Sequence, residues 1–228
     1  MCIRDRQILL TSIALALITC SLKAQQPLYN SNINGTPLLS KDFSDIKGSP
    51  YSYDDWVTGT VQLKNHQAYK DVNLKYSEYD DALYFKSKSG EMQAFAIPVA
   101  EFTLSYSDDG KTITKHYKNG FKTFPQWSSD AFFEVLVDGK SQLLKKVTKK
   151  VDQRTDYGSV TTDKSFISIT KYILIVNGNA TIINKDKKSI LRALPDKQDQ
   201  IEAYINNNKL NLKNDDDLTK IINYYNSI

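Results

Sequence analysis

From Thr60 onward, apolar and polar residues alternate in short runs separated by turn residues. Thr60-Val61-Gln62-Leu63 alternates and is followed by the turn-like Lys64-Asn65-His66-Gln67. Val72, Leu74 and Tyr76 alternate with Asn73 and Lys75, and Leu83 and Phe85 follow Tyr79-Asp80-Asp81. Ser89-Gly90 precedes the run Met92 to Phe95. Phe102, Leu104 and Tyr106 lead through Ser107-Asp108-Asp109-Gly110 into Thr112-Ile113-Thr114. A period of two between closely spaced turns predicts antiparallel, half-buried strands.

After the break at Lys118-Asn119-Gly120 and a looser stretch holding Pro125 and Trp127, Phe132 to Val137 reads as a strand. Asp138-Gly139 predicts a type I′ hairpin with positive φ at both central residues, and Leu143 to Val151 is the return strand. Ile173 to Val176 is apolar on both faces, as in a central strand, and Asn177-Gly178 signals the next hairpin. Near Lys185 the period changes. Asp186 can cap a helix carrying Ile190, Leu191 and Leu194, which Pro195 stops. Asp196 can cap a second helix, with Ile201, Tyr204 and Ile205 on one face. A third begins at Asp215-Asp216-Asp217, with Leu218, Ile221, Ile222 and Tyr225 at i, i+3, i+4, i+7.

The predicted fold class is β-rich α+β. It is an antiparallel meander of about eight to ten strands, sandwich or open barrel, followed by a small C-terminal helical segment. The expected organisation is 1–24 signal peptide, 25–48 extended lead-in, 49–184 antiparallel β domain and 185–228 helical segment packed on that domain.

The first segment points to export. Gln7 to Leu22 carries no charge, Arg4 and Arg6 precede it and Ala24 follows it. A basic stretch, a short apolar run and a small residue make a secretory signal, and the run is shorter than the ~20 residues of a spanning helix. Cleavage is expected between Ala24 and Gln25. The alternative is lipidation at Cys20, for which Thr19 is a poor fit. Met1 to Arg6 looks like a translated adapter remnant, with Asp5 out of place, so the natural start is open.

Lys and Arg total 30 against 26 Asp and Glu, a net +4. Removing 1–24 leaves about +2. That balance argues against a nucleic-acid partner. The two cysteines, Cys2 and Cys20, lie in the leader, and histidine occurs only at His66 and His116. This count removes a disulfide framework, a thiolate metal site and a Cys nucleophile. No metal and no cofactor is expected.

Gly48-Ser49-Pro50-Tyr51, Asp55-Trp56, Gly59-Thr60-Val61 and Leu74-Lys75-Tyr76 carry a resemblance, together with Phe133 to Lys140, Lys188 to Leu191, Tyr204-Ile205, Asn208 to Leu210 and Tyr224 to Asn226. On these residues the chain resembles a family of uncharacterised exported proteins of Bacteroidota. The family has no assigned activity, so the resemblance implies export and fold and carries over no catalytic residue. His66 departs from it, standing where relatives more often place Gly in the turn.

The acidic pairs Asp54-Asp55, Asp80-Asp81 and Asp108-Asp109 sit in predicted turns, and adjacent strand residues point to opposite faces, so no pair makes a glycosidase dyad. Asp215 to Asp217 lack the spacing of a calcium loop and read as helix-start residues. His66 and His116 stand alone. Lys145, Lys146, Lys149, Lys150 and Arg154 read as a solvated strand edge, 145 and 149 on one face and 146 and 150 on the other. Tyr51, Tyr53 and Trp56 are the candidate ligand-binding residues, aromatic faces beside Asp54 and Asp55; the competing reading is that they close one end of the β core.

The expected function is that of an exported, non-enzymatic cell-envelope protein binding an envelope protein or glycan. It is periplasmic, outer-membrane-associated or secreted, with no transmembrane helix in the mature chain. The alternatives are a hydrolase or binder acting on envelope glycan or peptide, and a barrel holding an apolar ligand. The oligomeric state is open.

Overall fold

The computed structural model describes residues 33–38, 41–121, 124–155, 157 and 162–228. Ala24, Gln25 and Cys20 lie outside the described residues, as does the whole expected leader.

The strands are β1 Gly35–Pro37, β2 Val57–Leu63, β3 Ala68–Ser77, β4 Ala82–Lys86, β5 Met92–Phe95, β6 Val99–Asp108, β7 Lys111–Lys118, β8 Phe133–Val137, β9 Gln142–Arg154, β10 Asp163–Val176 and β11 Asn179–Ile183. The helices are α1 Lys187–Ala193, α2 Gln198–Asn207 and α3 Asp215–Ser227. The protein is thus a β-rich antiparallel meander followed by three C-terminal helices, as the periodicity predicts. It forms a single open sheet of 11 strands, in the order β1-β5-β4-β3-β2-β6-β7-β8-β9-β10-β11.

The roll of this sheet follows from one short link. β5 and β6 lie four strand spacings apart in the sheet, about 19 Å if it were flat. Only Ala96 to Pro98 joins them, a reach of about 13 Å. The first half must therefore curl, and its inner face closes over a core of aromatic rings. Tyr76 of β3 and Tyr117 of β7 meet at 5.2 Å, although two strands separate them in the sheet. Phe102 stacks on Tyr117 at 4.8 Å and meets Phe132 at 5.0 Å, so the interior is filled by side chains. The curl brings the end of β3 to β9, where the Lys149 N–H donates to the Glu78 carbonyl at 3.0 Å. That backbone bond is not a ladder, and the sheet stays open.

The second half is layered. One face of β8 to β11 carries Val137, Leu143, Leu174 and Ile183, and the helices cover it with Ile190, Leu194, Ile201, Ile205, Leu218, Ile221, Ile222 and Tyr225. Helices of this length are marginal alone in water. Burying each aliphatic side chain contributes about 1.5–3 kcal/mol, so docking on the sheet is what holds them. On the opposite face Phe133, Leu144, Ile173 and Ile175 are covered by Phe121, Phe124 and Trp127.

Local chemistry departs from expectation at three turns. Gly139 does not adopt positive φ. It is required because a Cβ there would lie 2.6 Å from Asn226 Nδ2, and Asn226 bonds both the N–H and the carbonyl of Ser141. Asp196 does not cap α2: Lys197 occupies that position, and Asp196 accepts from the Tyr225 hydroxyl at 2.8 Å. Asn214, one residue ahead of the acidic run, caps α3 through the Asp216 N–H at 2.9 Å, whereas Asp186 caps α1 through Ser189.

Candidate functional site

Strand alternation divides the three candidate aromatics. Leu74 points into the rolled core, so its neighbour Lys75 points to the outer face. There the Lys75 ammonium sits 4.8 Å from the Tyr51 ring and 5.2 Å from the Trp56 ring, and donates to the Asp54 carbonyl at 2.6 Å. Tyr51 and Trp56 form a cage already occupied by the protein's own cation. Tyr53 turns the other way, meeting Tyr106 at 4.4 Å at the margin of the core, with Lys115 over both rings at 5.6 and 5.8 Å. The three residues therefore do not converge on one cleft.

Tyr53 does border a group that no stretch of sequence announces. Register places Tyr117 opposite Glu134, Glu134 opposite Lys145 and Lys145 opposite Tyr172, one row across β7, β8, β9 and β10. Lys115 joins the row 4.0 Å from Glu134, and Lys145 lies 3.8 Å from the same carboxylate. From the end of β3, Glu78 adds a second carboxylate 3.8 Å from Lys149, which also donates to the Tyr51 carbonyl. From the start of α3, Asp215 accepts from Lys145 at 2.7 Å, Lys185 at 2.6 Å and the Tyr172 hydroxyl at 2.7 Å. Four lysines thus meet three carboxylates along the seam between the rolled half and the helices.

The electrostatics follow from this half-buried setting. Burial would raise Asp215, but the bonds from Lys145, Lys185 and Tyr172 outweigh it and hold the carboxyl at about 2. Burial pushes Glu78 up, against the pull of Lys149 and Lys115. Lys145 is lifted because Asp215 and Glu134 outweigh its desolvation. Each carboxylate is engaged by at least one lysine, the arrangement that makes charge tolerable away from water.

Next to the seam, Lys146 points to the opposite face of β9 and is 3% exposed. Its ammonium is held by Asp81 at 2.7 Å, the Phe132 carbonyl at 2.8 Å and the Tyr76 hydroxyl at 3.4 Å. Burial lowers its pKa, and Asp81 offsets part of that. The alternation expected of the basic cluster is present, but the solvated edge holds only for Lys150 and Arg154: Lys145, Lys146 and Lys149 are enclosed. The edge reading failed because β9 lies inside the sheet and receives the end of β3.

His116 is not alone. Its Nε2 lies 3.2 Å from Glu101 Oε2 across the β6–β7 pair, beside a cavity of about 210 Å³ that Thr60, Gln62 and Thr103 also line. His66 occupies the β2–β3 turn at φ 67. Asp80 and Asp81 serve different lysines, Lys41 and Lys146, and Asp109 and Gly110 both take positive φ in the β6–β7 turn. Among the described residues no group of three or more His, Cys, Asp or Glu is placed to hold a metal ion, and no helix is long and apolar enough to cross a membrane.

One signal for the seam is present in the sequence: Glu134 is a lone charge inside the apolar run Phe133 to Val137, and a buried charge needs a partner. Nothing local names Lys145, Lys115 or Asp215 as those partners. No protein-family model matches the chain, and no curated protein and no solved structure matches it.

Proposed function

We propose that this is an exported, non-enzymatic protein of the cell envelope, periplasmic or outer-membrane-associated, that acts by binding a partner. The observation that carries this reading is where exposed apolar surface remains. Ile167, Ile169 and Ile182 are 42%, 36% and 41% exposed. They share one face of the sheet, because Ile182 pairs with Ile173 and Ile173 has the same parity as Ile167 and Ile169. Aligned exposed isoleucines at a sheet margin are a contact surface in want of a cover. The seam supports binding over turnover, since its carboxylates are committed to lysines. Export is supported by the uncharged run Gln7 to Leu22 behind Arg4 and Arg6.

A photoreactive residue in place of Ile169, in cells that make the protein, tests this. The expected result is one discrete crosslinked species in the envelope fraction, absent when the probe replaces Glu202. Recovery of the protein in the cytoplasmic fraction, or equal background from both positions, refutes the reading.

A second reading, a hydrolase acting on envelope glycan or peptide, draws on one observation. Glu78, raised by burial, lies on the same lysine seam as a second carboxylate, Glu134, so two carboxyl groups line one strip of surface. It requires turnover of an envelope glycan or peptide that Glu78→Gln abolishes with the fold intact.

A further inference from the structure

β10 has a gap on its outer edge. At one end Lys47 forms a parallel bridge to Ser165, donating to the Lys164 carbonyl and accepting from the Phe166 N–H, both at 2.9 Å. At the other end β11 begins its pairing at Tyr172. Between these points Ile167, Ser168, Ile169, Thr170 and Lys171 are all exposed, five successive residues in the middle of a 14-residue strand. The gap is about 17 Å long.

The direction of the free backbone groups follows from Phe166. Its N–H points outward to Lys47, and in an antiparallel strand that direction repeats every second residue. Ser168 and Thr170 therefore present their N–H and carbonyl groups outward, and no described residue pairs with them. The side chains on one face of the gap are also defined. Ile167, Ile169 and Lys171 share a face, and Lys150 of β9 stands opposite Ile167 on it. Among the described residues neither Lys150 nor Lys171 has an acidic partner. Natural sheets blunt such an edge with proline, a bulge or charged side chains, lysine above all. This stretch has neither proline nor bulge, its one charge is Lys171 at its end, and Ile167, Ile169 and Thr170 are β-branched.

We propose that the gap between Phe166 and Tyr172 accepts an extended segment of a partner protein, added to the sheet as a strand. The proposal rests on the partner-binding reading above and names its mode. The occupant is a strand of four or five residues whose alternate side chains are apolar opposite Ile167 and Ile169 and acidic opposite Lys171. Main-chain bonds to Ser168 and Thr170 supply affinity, and the isoleucine–lysine face supplies selectivity.

The probe is a synthetic heptapeptide alternating threonine with isoleucine, isoleucine and glutamate, made in both sequence orders and added to the full chain. Amide hydrogen exchange is read residue by residue. Protection of the Ser168 and Thr170 amides by tenfold or more is expected, and in Thr170→Pro, which has no amide at 170, the protection of Ser168 is lost. That proline deletes an N–H that faces outward, so the ladder to β9 and the unfolding midpoint are retained. Should Thr170→Pro fail to fold, Ile169→Glu is expected to weaken binding of the same peptide by tenfold or more.

No protection at millimolar peptide, or protection unchanged in these variants, overturns the proposal. So does concentration-dependent protection without peptide, which makes a second copy the occupant. If the crosslink from position 169 survives Thr170→Pro, partner binding stands and strand addition falls. If no crosslink forms in the unaltered protein, the underlying reading falls.

Discussion

Lys146 offers the sharpest test of how the two halves of the sheet are joined. Its ammonium is almost wholly enclosed, and among the described residues Asp81 is the only carboxylate bonded to it. Asp81→Asn keeps the size, the hydrogen-bonding oxygen and a side chain that tolerates the φ of 54 found at this turn. What it removes is the compensating charge. Losing one partner of a buried pair costs about 3–5 kcal/mol. Lys146 has an escape, which is to shed its proton. At pH 7 that costs about 1.4 kcal/mol for each unit below 10.4, or about 4.6 kcal/mol, and at pH 9 about 2 kcal/mol. The expected loss for Asp81→Asn is therefore about 3–4 kcal/mol at pH 7, shrinking to about 2 kcal/mol at pH 9. The sign is consistent with linkage: a lysine whose folded pKa is depressed leaves the unfolded chain holding more protons, so stability rises with pH. Lys146→Met is expected to cost only about 1 kcal/mol, because the apolar chain fills the space and Asp81, 29% exposed, stays partly solvated and keeps the Tyr76 hydroxyl. The double variant should resemble Lys146→Met. Urea unfolding of the four proteins at pH 7 and pH 9 measures this. Equal losses for the two single variants, or a loss for Asp81→Asn independent of pH, would refute the reasoning.

Three further outcomes are expected. His66→Gly should stabilise the protein by about 0.5–1 kcal/mol, seen as a higher urea midpoint, because glycine takes the φ of 67 without a Cβ clash. Gly59→Ala should destabilise it by about 3 kcal/mol or more in the same assay, since a Cβ at this site would lie 1.9 Å from the Thr103 carbonyl oxygen and force β2 from β6. Asp215, held at about 2, should contribute about 1–2 kcal/mol that is fully present above its unfolded pKa near 3.9 and lost as pH falls from about 4 to 2. Asp215→Asn should flatten that acid limb of the unfolding curve, and an unchanged limb would place the titration elsewhere.

Much of the fold is legible along the chain because it depends on neighbours. Alternation marks the strands, and the Asn177-Gly178 pair does take positive φ at both residues. The i, i+3, i+4, i+7 pattern of Leu218, Ile221, Ile222 and Tyr225 correctly marks the buried face of α3. The same local reasoning misplaced Gly139, whose need for a missing Cβ comes from Asn226, a residue remote in sequence. It misread the β9 lysines because a strand carries no sign of whether it will be an edge or an interior member.

The seam lies beyond sequence for a physical reason. A one-residue slip in register would turn Glu134, Lys145 and Tyr172 to the other face, and register is settled by packing across strands. The curl imposed by Ala96 to Pro98 then brings Glu78 to Lys149, and docking of the helices brings Asp215 to Lys145. By itself the sequence determined the antiparallel strands, the turns with local glycine or asparagine chemistry and the apolar faces of the helices. Only the tertiary structure decided which charges meet, which lysines are enclosed and which five residues of β10 remain open, because each of these depends on distances between segments that no local pattern encodes.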